Sequence, residues 1–231
     1  MSLLKIPLVL SSAIAVQVAV TPPHSASDKE LYHNGRTLIR LSSYFRKMRP
    51  SQTIAGLYWA GAVAEITAII ARHIDSSKIP SVLRTASEAL STLTDVPITP
   101  SFFGGFIRWL CYRTLGRYFT FLLSVRQDHR LITTGPYAIV RHPSYTGMMM
   151  LCLGIIILHG SRNSWLRASG VSARIPGVLP VIAGASIFCT AVNFALFSRM
   201  KREDRMMHSA FGEEWEAWAR NVKYRIIPGV Y

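Results

Sequence analysis

The chain has 231 residues and a formal net charge of +14, yet half of its residues are apolar, only 16% are charged, and the mean hydropathy is +0.26. A soluble domain carries about 25% charged residues, so this balance excludes a disordered chain and argues against an ordinary soluble nucleic-acid-binding domain, which would not carry long apolar runs. Three cysteines, Cys111, Cys152 and Cys189, each within an apolar run, exclude a disulfide scaffold.

Five apolar stretches follow in chain order: 6–20, 54–71 with one charge (Glu65), 102–125 interrupted by Arg108, Arg113 and Arg117, 145–159, and the uncharged 176–197. A membrane helix needs roughly 20 mostly apolar residues. The last stretch meets this outright. The second and third meet it while carrying charge, and the first and fourth need flanking residues. The first also has the outline of a signal peptide, but Val20-Thr21-Pro22-Pro23 supplies no small-x-small cleavage site. The reading is an all-α integral membrane protein of about five transmembrane helices, with residues 1–231 forming one domain.

Between the stretches, residues 21–50 carry six Lys or Arg and 198–231 carry seven, against three each in 72–97, 126–144 and 160–175. The positive-inside rule then puts the first loop, the third loop and the tail in the cytoplasm. The basic fourth loop (Arg162, Arg167, Arg174) breaks the pattern, and a hairpin of spans four and five that does not fully cross is the alternative. Ser27-Asp28-Lys29-Glu30 reads as a capping box ahead of a surface-lying amphipathic helix (Leu31, Leu38, Leu41, Phe45, Met48). A second short amphipathic helix is expected between Pro80 and Pro97. An ionisable residue at bilayer depth is a functional hypothesis by default. Arg113 and Arg117 share a helical face and point toward a polar cavity, while Arg108 is expected to snorkel at least as readily. Glu65 has the same two readings.

Dinucleotide, Walker, zinc-hydrolase and serine-hydrolase motifs are all missing, and the seven histidines lack metal-ligand spacing. The densest polar cluster, residues 129–147, reads HRLITTGPYAIVRHPSYTG. Gly135-Pro136 and His142-Pro143 both turn the chain, which predicts a fixed irregular segment. Such backbone is tolerated near a membrane only where it lines a cavity or is buried in protein. Gly147 allows close approach at the start of span four. A second cluster runs from Arg199 to Met207, followed by Phe211-Gly212-Glu213-Glu214-Trp215. Arg199 and Glu203, four apart, share a helical face. Trp215, Trp218 and Val222 form a stripe suited to packing or membrane anchoring.

Together the two clusters resemble the isoprenylcysteine carboxyl methyltransferase family, closely over 125–231 and loosely in span three. The first cluster is shared in looser form with phospholipid methyltransferases and some sterol reductases. The resemblance implies an endoplasmic-reticulum membrane enzyme using S-adenosylmethionine to methylate the C-terminal carboxylate of prenylated cysteine in proteins, with a cytoplasmic helical tail completing the cofactor site. Carried over by position, His129, Leu131, Ile132, Tyr137, His142, Pro143, Ser144, Tyr145 and Glu203 would hold the cofactor, and Arg199 would face the substrate as the catalytic arginine. The second acid of the family's Glu-Glu pair is Asp204 here, the expected leucine is Met207, and a glutamine ahead of His129 has only Ser124 or Gln127 to match it. Two other readings stand beside this one: a methyltransferase for another lipid, such as a phospholipid amine, and a non-enzymatic scaffold or transporter.

Overall fold

The computed structural model describes residues 5–21, 50–71, 100–119, 121, 129–160 and 177–231, and among them all regular structure is helical. The surface helix expected after Ser27, the helix between Pro80 and Pro97, the fourth loop and the positions of Ser124 and Gln127 lie outside the described residues.

In chain order the elements are α1 (Lys5–Val20), α2 (Pro50–Ala71), α3 (Pro100–Leu115), a 3-10 turn (Gly116–Tyr118), a second 3-10 turn (Gly135–Ala138), α4 (Pro143–Gly160), α5 (Val178–Phe211) and α6 (Glu213–Asn221). Pro50, Pro100 and Pro143 each open a helix, where the missing N–H costs nothing because the first turn has no intrahelical acceptor for it. Span three is shorter than its apolar run. Helix α3 stops at Leu115 because Gly116 takes φ +53°, a conformation that ends an α-helix, and by Phe119 the backbone is extended.

The most extensive interface joins α3 to α4. Small residues make it possible. A Cβ on Gly104 would collide with Gly147 O and Leu151 N, and one on Gly154 with the Ser101 backbone. The two backbones therefore touch along a row of small residues, the means by which helices pack in lipid, where burial of apolar surface gives little drive. Helix α1 lies against α2 and α3. Its Ala15, Val16 and Ala19 pack with Leu151, and its Val9 and Ala13 pack with Ala62 of α2. The expected role of Gly147 is thus met, and the core is built largely of small side chains.

The large apolar side chains point outward instead. Leu57 and Val63 on α2, Phe102, Phe103 and Phe106 on α3, and Val181, Ile187 and Phe194 on α5 are all exposed. Among the described residues one helix, Leu179–Phe211, is long and apolar enough by length and composition to cross a bilayer, and only 6% of its most apolar window is buried. A core helix of a soluble protein would be mostly buried, so this exposure fits contact with lipid. Ile6–Val20 and Pro143–Ile157 are shorter apolar helices.

Candidate functional site

Helix α5 does not end where its apolar run ends. It continues unbroken through the second polar cluster to Phe211, which carries Arg199, Glu203 and Asp204 alongside the irregular segment 129–142. The two polar clusters read from the sequence meet there and enclose a cavity of about 290 Å3, just below the range of roughly 300–1,000 Å3 for small-molecule sites. All ten residues singled out above lie on the structure. His129, Leu131, Ile132, Tyr137, His142, Ser144, Tyr145, Arg199 and Glu203 line the cavity. Pro143 does not line it; it is buried and opens α4.

Three layers hold the lining in place. At the near end of α5, the Tyr145 hydroxyl donates to Glu203 Oε2, and Arg199 Nε stands 3.9 Å from the same oxygen. The Arg199 guanidinium also donates to the Phe121 carbonyl. Glu203 therefore accepts a hydrogen bond from Tyr145 and has the Arg199 charge beside it at ion-pair distance, while Arg199 Nε has no hydrogen-bond partner among the described residues. The His142 ring stacks on Tyr145 at 5.3 Å, with 8° between the planes.

The second layer centres on Asp204. His142 Nε2 donates to its Oδ1 at 2.9 Å, and since a carboxylate only accepts, this fixes which nitrogen carries the proton. Arg225 Nε donates to Oδ2 at 3.1 Å and Arg141 Nη1 to the same atom at 3.4 Å. Burial alone would push the Asp204 carboxyl up. The hydrogen bond from His142 and the charges of His142, Arg141 and Arg225 outweigh it and hold the group below the ordinary carboxylate range. Main-chain bonds reinforce the same junction: the amides of Arg141 and His142 donate to Tyr224 O and Arg225 O at 2.9 and 2.8 Å, and Thr146 Oγ1 donates to Ile226 O at 2.8 Å. The segment after α6 in turn folds on itself, with the amides of Arg225, Ile226 and Ile227 all donating to the main-chain oxygen of Tyr231.

The third layer is Arg108, 3% exposed. It donates to Ser144 Oγ at 3.0 Å, Ser144 O at 3.2 Å, Ala19 O at 2.7 Å and the Tyr112 hydroxyl at 2.6 Å. One guanidinium thus ties the end of α1, the middle of α3 and the start of α4 to the cavity wall. This reverses the expected order of the span-three arginines. Arg113 and Arg117 are exposed, over the rings of Trp109 and Tyr118, while Arg108 is the one drawn inside. The reason is direction: Arg108 faces α1 and α4, and Arg113 lies on the opposite side of the helix. Glu65 is buried on α2.

Aromatic side chains complete the lining. His129 lies between the rings of Tyr118 and Phe211, 4.9 and 5.8 Å away. Trp215 and Trp218, read from the sequence as packing or anchoring residues, are both cavity walls. Trp218 Nε1 donates to Tyr137 O at 3.2 Å, whereas the buried Trp215 Nε1 has no hydrogen-bond partner among the described residues. Burial pushes the Tyr137 phenol well above its ordinary range, so it stays a neutral donor. The sequence reading missed Asp204, Arg141 and Arg225 as a unit, and it missed Trp215 and Trp218 as lining.

The family model described as isoprenylcysteine carboxyl methyltransferase matches residues 98–169, which takes in α3, the loop and α4 but stops short of Arg199 and Glu203. The probable protein-S-isoprenylcysteine O-methyltransferase of Oryza sativa subsp. japonica is 30% identical over 122 residues, 52% of this chain and 53% of that protein. Protein-S-isoprenylcysteine O-methyltransferase B of Arabidopsis thaliana is 28% identical over 112 residues, 44% and 57% of the two chains. Delta(14)-sterol reductase of Neurospora crassa is 27% identical over 124 residues, 47% of this chain and 25% of that one. The chain thus spans about half the length of the methyltransferases it matches and a quarter of the reductase. No solved structure matches it. The resemblance to the isoprenylcysteine carboxyl methyltransferase family is therefore shown by the family model and by these relatives.

Proposed function

We propose that the chain is a multi-pass membrane enzyme of the endoplasmic reticulum that transfers a methyl group from S-adenosylmethionine to the C-terminal carboxylate of prenylated cysteine in proteins. In this reading about five helices cross the bilayer and the tail from Ser198 onward is cytoplasmic. The observation that carries it is the single cavity in which the loop 129–145 and the cationic–acidic turn Arg199–Glu203 face each other. The loop side of that cavity falls within residues 98–169, the stretch matched by the methyltransferase family model, which adds support.

The residues present fit the cofactor. Its ammonium and hydroxyl groups need acceptors, which Glu203 supplies. Its flat base needs aromatic walls and a donor, and the unpartnered Trp215 Nε1 is a donor buried in the lining. His129, Leu131, Ile132, Tyr137, His142, Ser144, Tyr145 and Glu203 would hold it, with Pro143 setting the turn into α4. When bound, S-adenosylmethionine supplies an electrophilic methyl group on a sulfonium.

The chain's own residues then have limited work to do. An α-carboxyl group titrates near about 3.5, so the acceptor is already ionised at neutral pH and no base is required. Arg199 orients the carboxylate. Its guanidinium is shared with Glu203 and the Phe121 carbonyl, which keeps it from clamping the acceptor too tightly; a stronger hold on the ground state would raise the barrier. Phe119, Phe121 and Tyr118 line the same space and exclude water from the carboxylate. Tyr145 and Arg199 fix Glu203, so binding costs little reorganisation.

The test is methyl transfer from labelled S-adenosylmethionine to N-acetyl-S-farnesylcysteine in membranes expressing the chain, beside His142→Ala and Glu203→Ala. Base-labile methyl ester, lost in both variants, is the expected result. Cofactor binding without ester would move the acceptor to another lipid, such as a phospholipid amine. Neither binding nor ester would leave the loop as a structural element of a scaffold or transporter.

A further inference from the structure

Beside the cavity, and sharing Asp204 and Trp215 with it, a second concavity of about 450 Å3 opens at the surface. Its other walls are Lys201, Arg205, His208 and Arg225. Lys201, Arg205 and His208 stand at i, i+4 and i+7, so one strip of α5 faces the groove, and Arg225 closes it from the segment after α6. The carboxylates nearby are already committed. Asp204 is bound to His142, Arg141 and Arg225, and Glu216 is paired with His208 at 2.8 Å. Lys201 and Arg205 are exposed, and Arg205 Nε donates to Lys201 O at 3.2 Å, which turns this guanidinium back toward the apolar half of α5. The groove therefore presents a surplus of positive charge aimed at the end of the span.

Depth selects the ligand. The uncharged run of α5 ends at Phe197. At about 1.5 Å per residue, Lys201 stands roughly 6 Å and Arg205 roughly 12 Å beyond it. The headgroup layer on each face of a bilayer is about 5–8 Å thick, and both side chains are long enough to reach into it. We propose that this groove binds the phosphate-bearing headgroup of an anionic membrane lipid. The proposal rests on the reading of α5 as a membrane span and is independent of the transfer chemistry. A headgroup there bridges α5 and Arg225, the residue that also reaches Asp204, so occupancy holds the segment 222–231 against the cavity wall.

The experiment uses the full chain purified in a neutral detergent. Thermal unfolding is followed as soluble dioctanoyl phosphatidylserine, dioctanoyl phosphatidylcholine, inorganic phosphate or hexaglutamate is titrated in. Saturable stabilisation by the serine lipid alone is expected, and its apparent Kd should rise about tenfold in the Lys201→Gln/Arg205→Gln double variant, which should still unfold cooperatively without lipid. Equal stabilisation by the choline lipid overturns the proposal. An equal shift with phosphate alone marks a free-anion site, and one with hexaglutamate marks an acidic protein segment; each overturns the lipid assignment. Unchanged affinity in the variant removes the groove as the site. If the double variant fails to fold, Lys201→Met alone and the four-probe comparison on the unaltered chain decide the question.

Discussion

Asp204 Oδ1 accepts a hydrogen bond from His142 Nε2 across 62 residues of sequence, at 2.9 Å. That bond joins the two polar clusters directly, and the other oxygen of the same carboxylate gathers Arg141 and Arg225. Asp204→Ala would leave three cationic or donor groups facing no anion in a largely buried place. Removing one member of such a cluster costs about 3–5 kcal/mol. The expected outcome is a loss of that order in the unfolding free energy in detergent, together with loss of methyl transfer. An unaffected melting curve would show that the cluster is surface decoration.

The same carboxyl gives a pH dependence with a definite sign. Asp204 is held below its ordinary value of 3.8 in the folded chain. A group with a depressed folded pKa contributes stability that is fully present above its unfolded value and is lost as pH falls through the folded one. Melting temperature measured from about pH 7 down to about pH 3 should therefore drop at the acid end. The drop should be shallower in Asp204→Asn, which has no such proton to take up. Parallel curves for the two proteins would assign acid loss to other groups.

The Tyr145 hydroxyl donates to Glu203, the acid proposed to hold the cofactor. Hydrogen bonds to charged groups contribute about 1.5–3 kcal/mol. Tyr145→Phe frees Glu203 to swing, so KM for S-adenosylmethionine should rise about tenfold or more while kcat changes less. Glu203→Gln should show the larger loss of affinity. A Tyr145→Phe enzyme with unaltered KM would separate the tyrosine from cofactor binding.

Arg199→Gln tests the acceptor rather than the cofactor. Loss of a charge-assisted contact to the acceptor carboxylate should lower kcat/KM by about ten- to a hundredfold, with part of it restored in Arg199→Lys. Binding of S-adenosylmethionine, measured by calorimetry on the purified chain, should fall much less. A phospholipid-amine acceptor has no need of this arginine, so turnover that survives in Arg199→Gln would redirect the search toward such substrates.

Gly147 tests the helix pair where it meets Arg108. A Cβ there would meet Gly104 O at 2.7 Å and Arg108 Cγ at 2.9 Å. Gly147→Val must push α3 and α4 apart or displace Arg108 from Ser144. Overpacking of this kind costs about 1–3 kcal/mol. Reduced thermal stability with weakened cofactor binding is expected, because Ser144 is both a partner of Arg108 and a cavity wall.

Local punctuation made half of this site readable from the sequence. Gly135-Pro136 and His142-Pro143 dictate an irregular loop wherever they stand, and Arg199 and Glu203 are neighbours on any helix. The Asp204 cluster leaves no such mark. Its partners lie 62, 63 and 21 residues away, and an acid in a run of mixed charge looks like solvated helix surface. The arginines of α3 were misordered for a related reason. Helical spacing says which residues share a face, but the neighbour of each face is set by how α1 and α4 dock. Trp215 and Trp218 carry the same period whether a stripe packs on a helix or walls a cavity, and only the fold distinguishes the two. The end of α3 was hidden because Arg117 and Gly116 sit within a run whose apolar composition continues past them.

The pairing of Tyr224 and Arg225 with Arg141 and His142 sets an order of events during synthesis. Every described helix from α1 to α6 precedes those two residues in the chain, so, in the proposed reading, a nascent polypeptide can insert and pack its helices while the loop 129–142 still lacks the brace that steadies it. In the proposed reading, methyl transfer would then wait on this last pairing as well as on insertion. Ribosomal products that stop short of residue 224 would occupy the bilayer without working there.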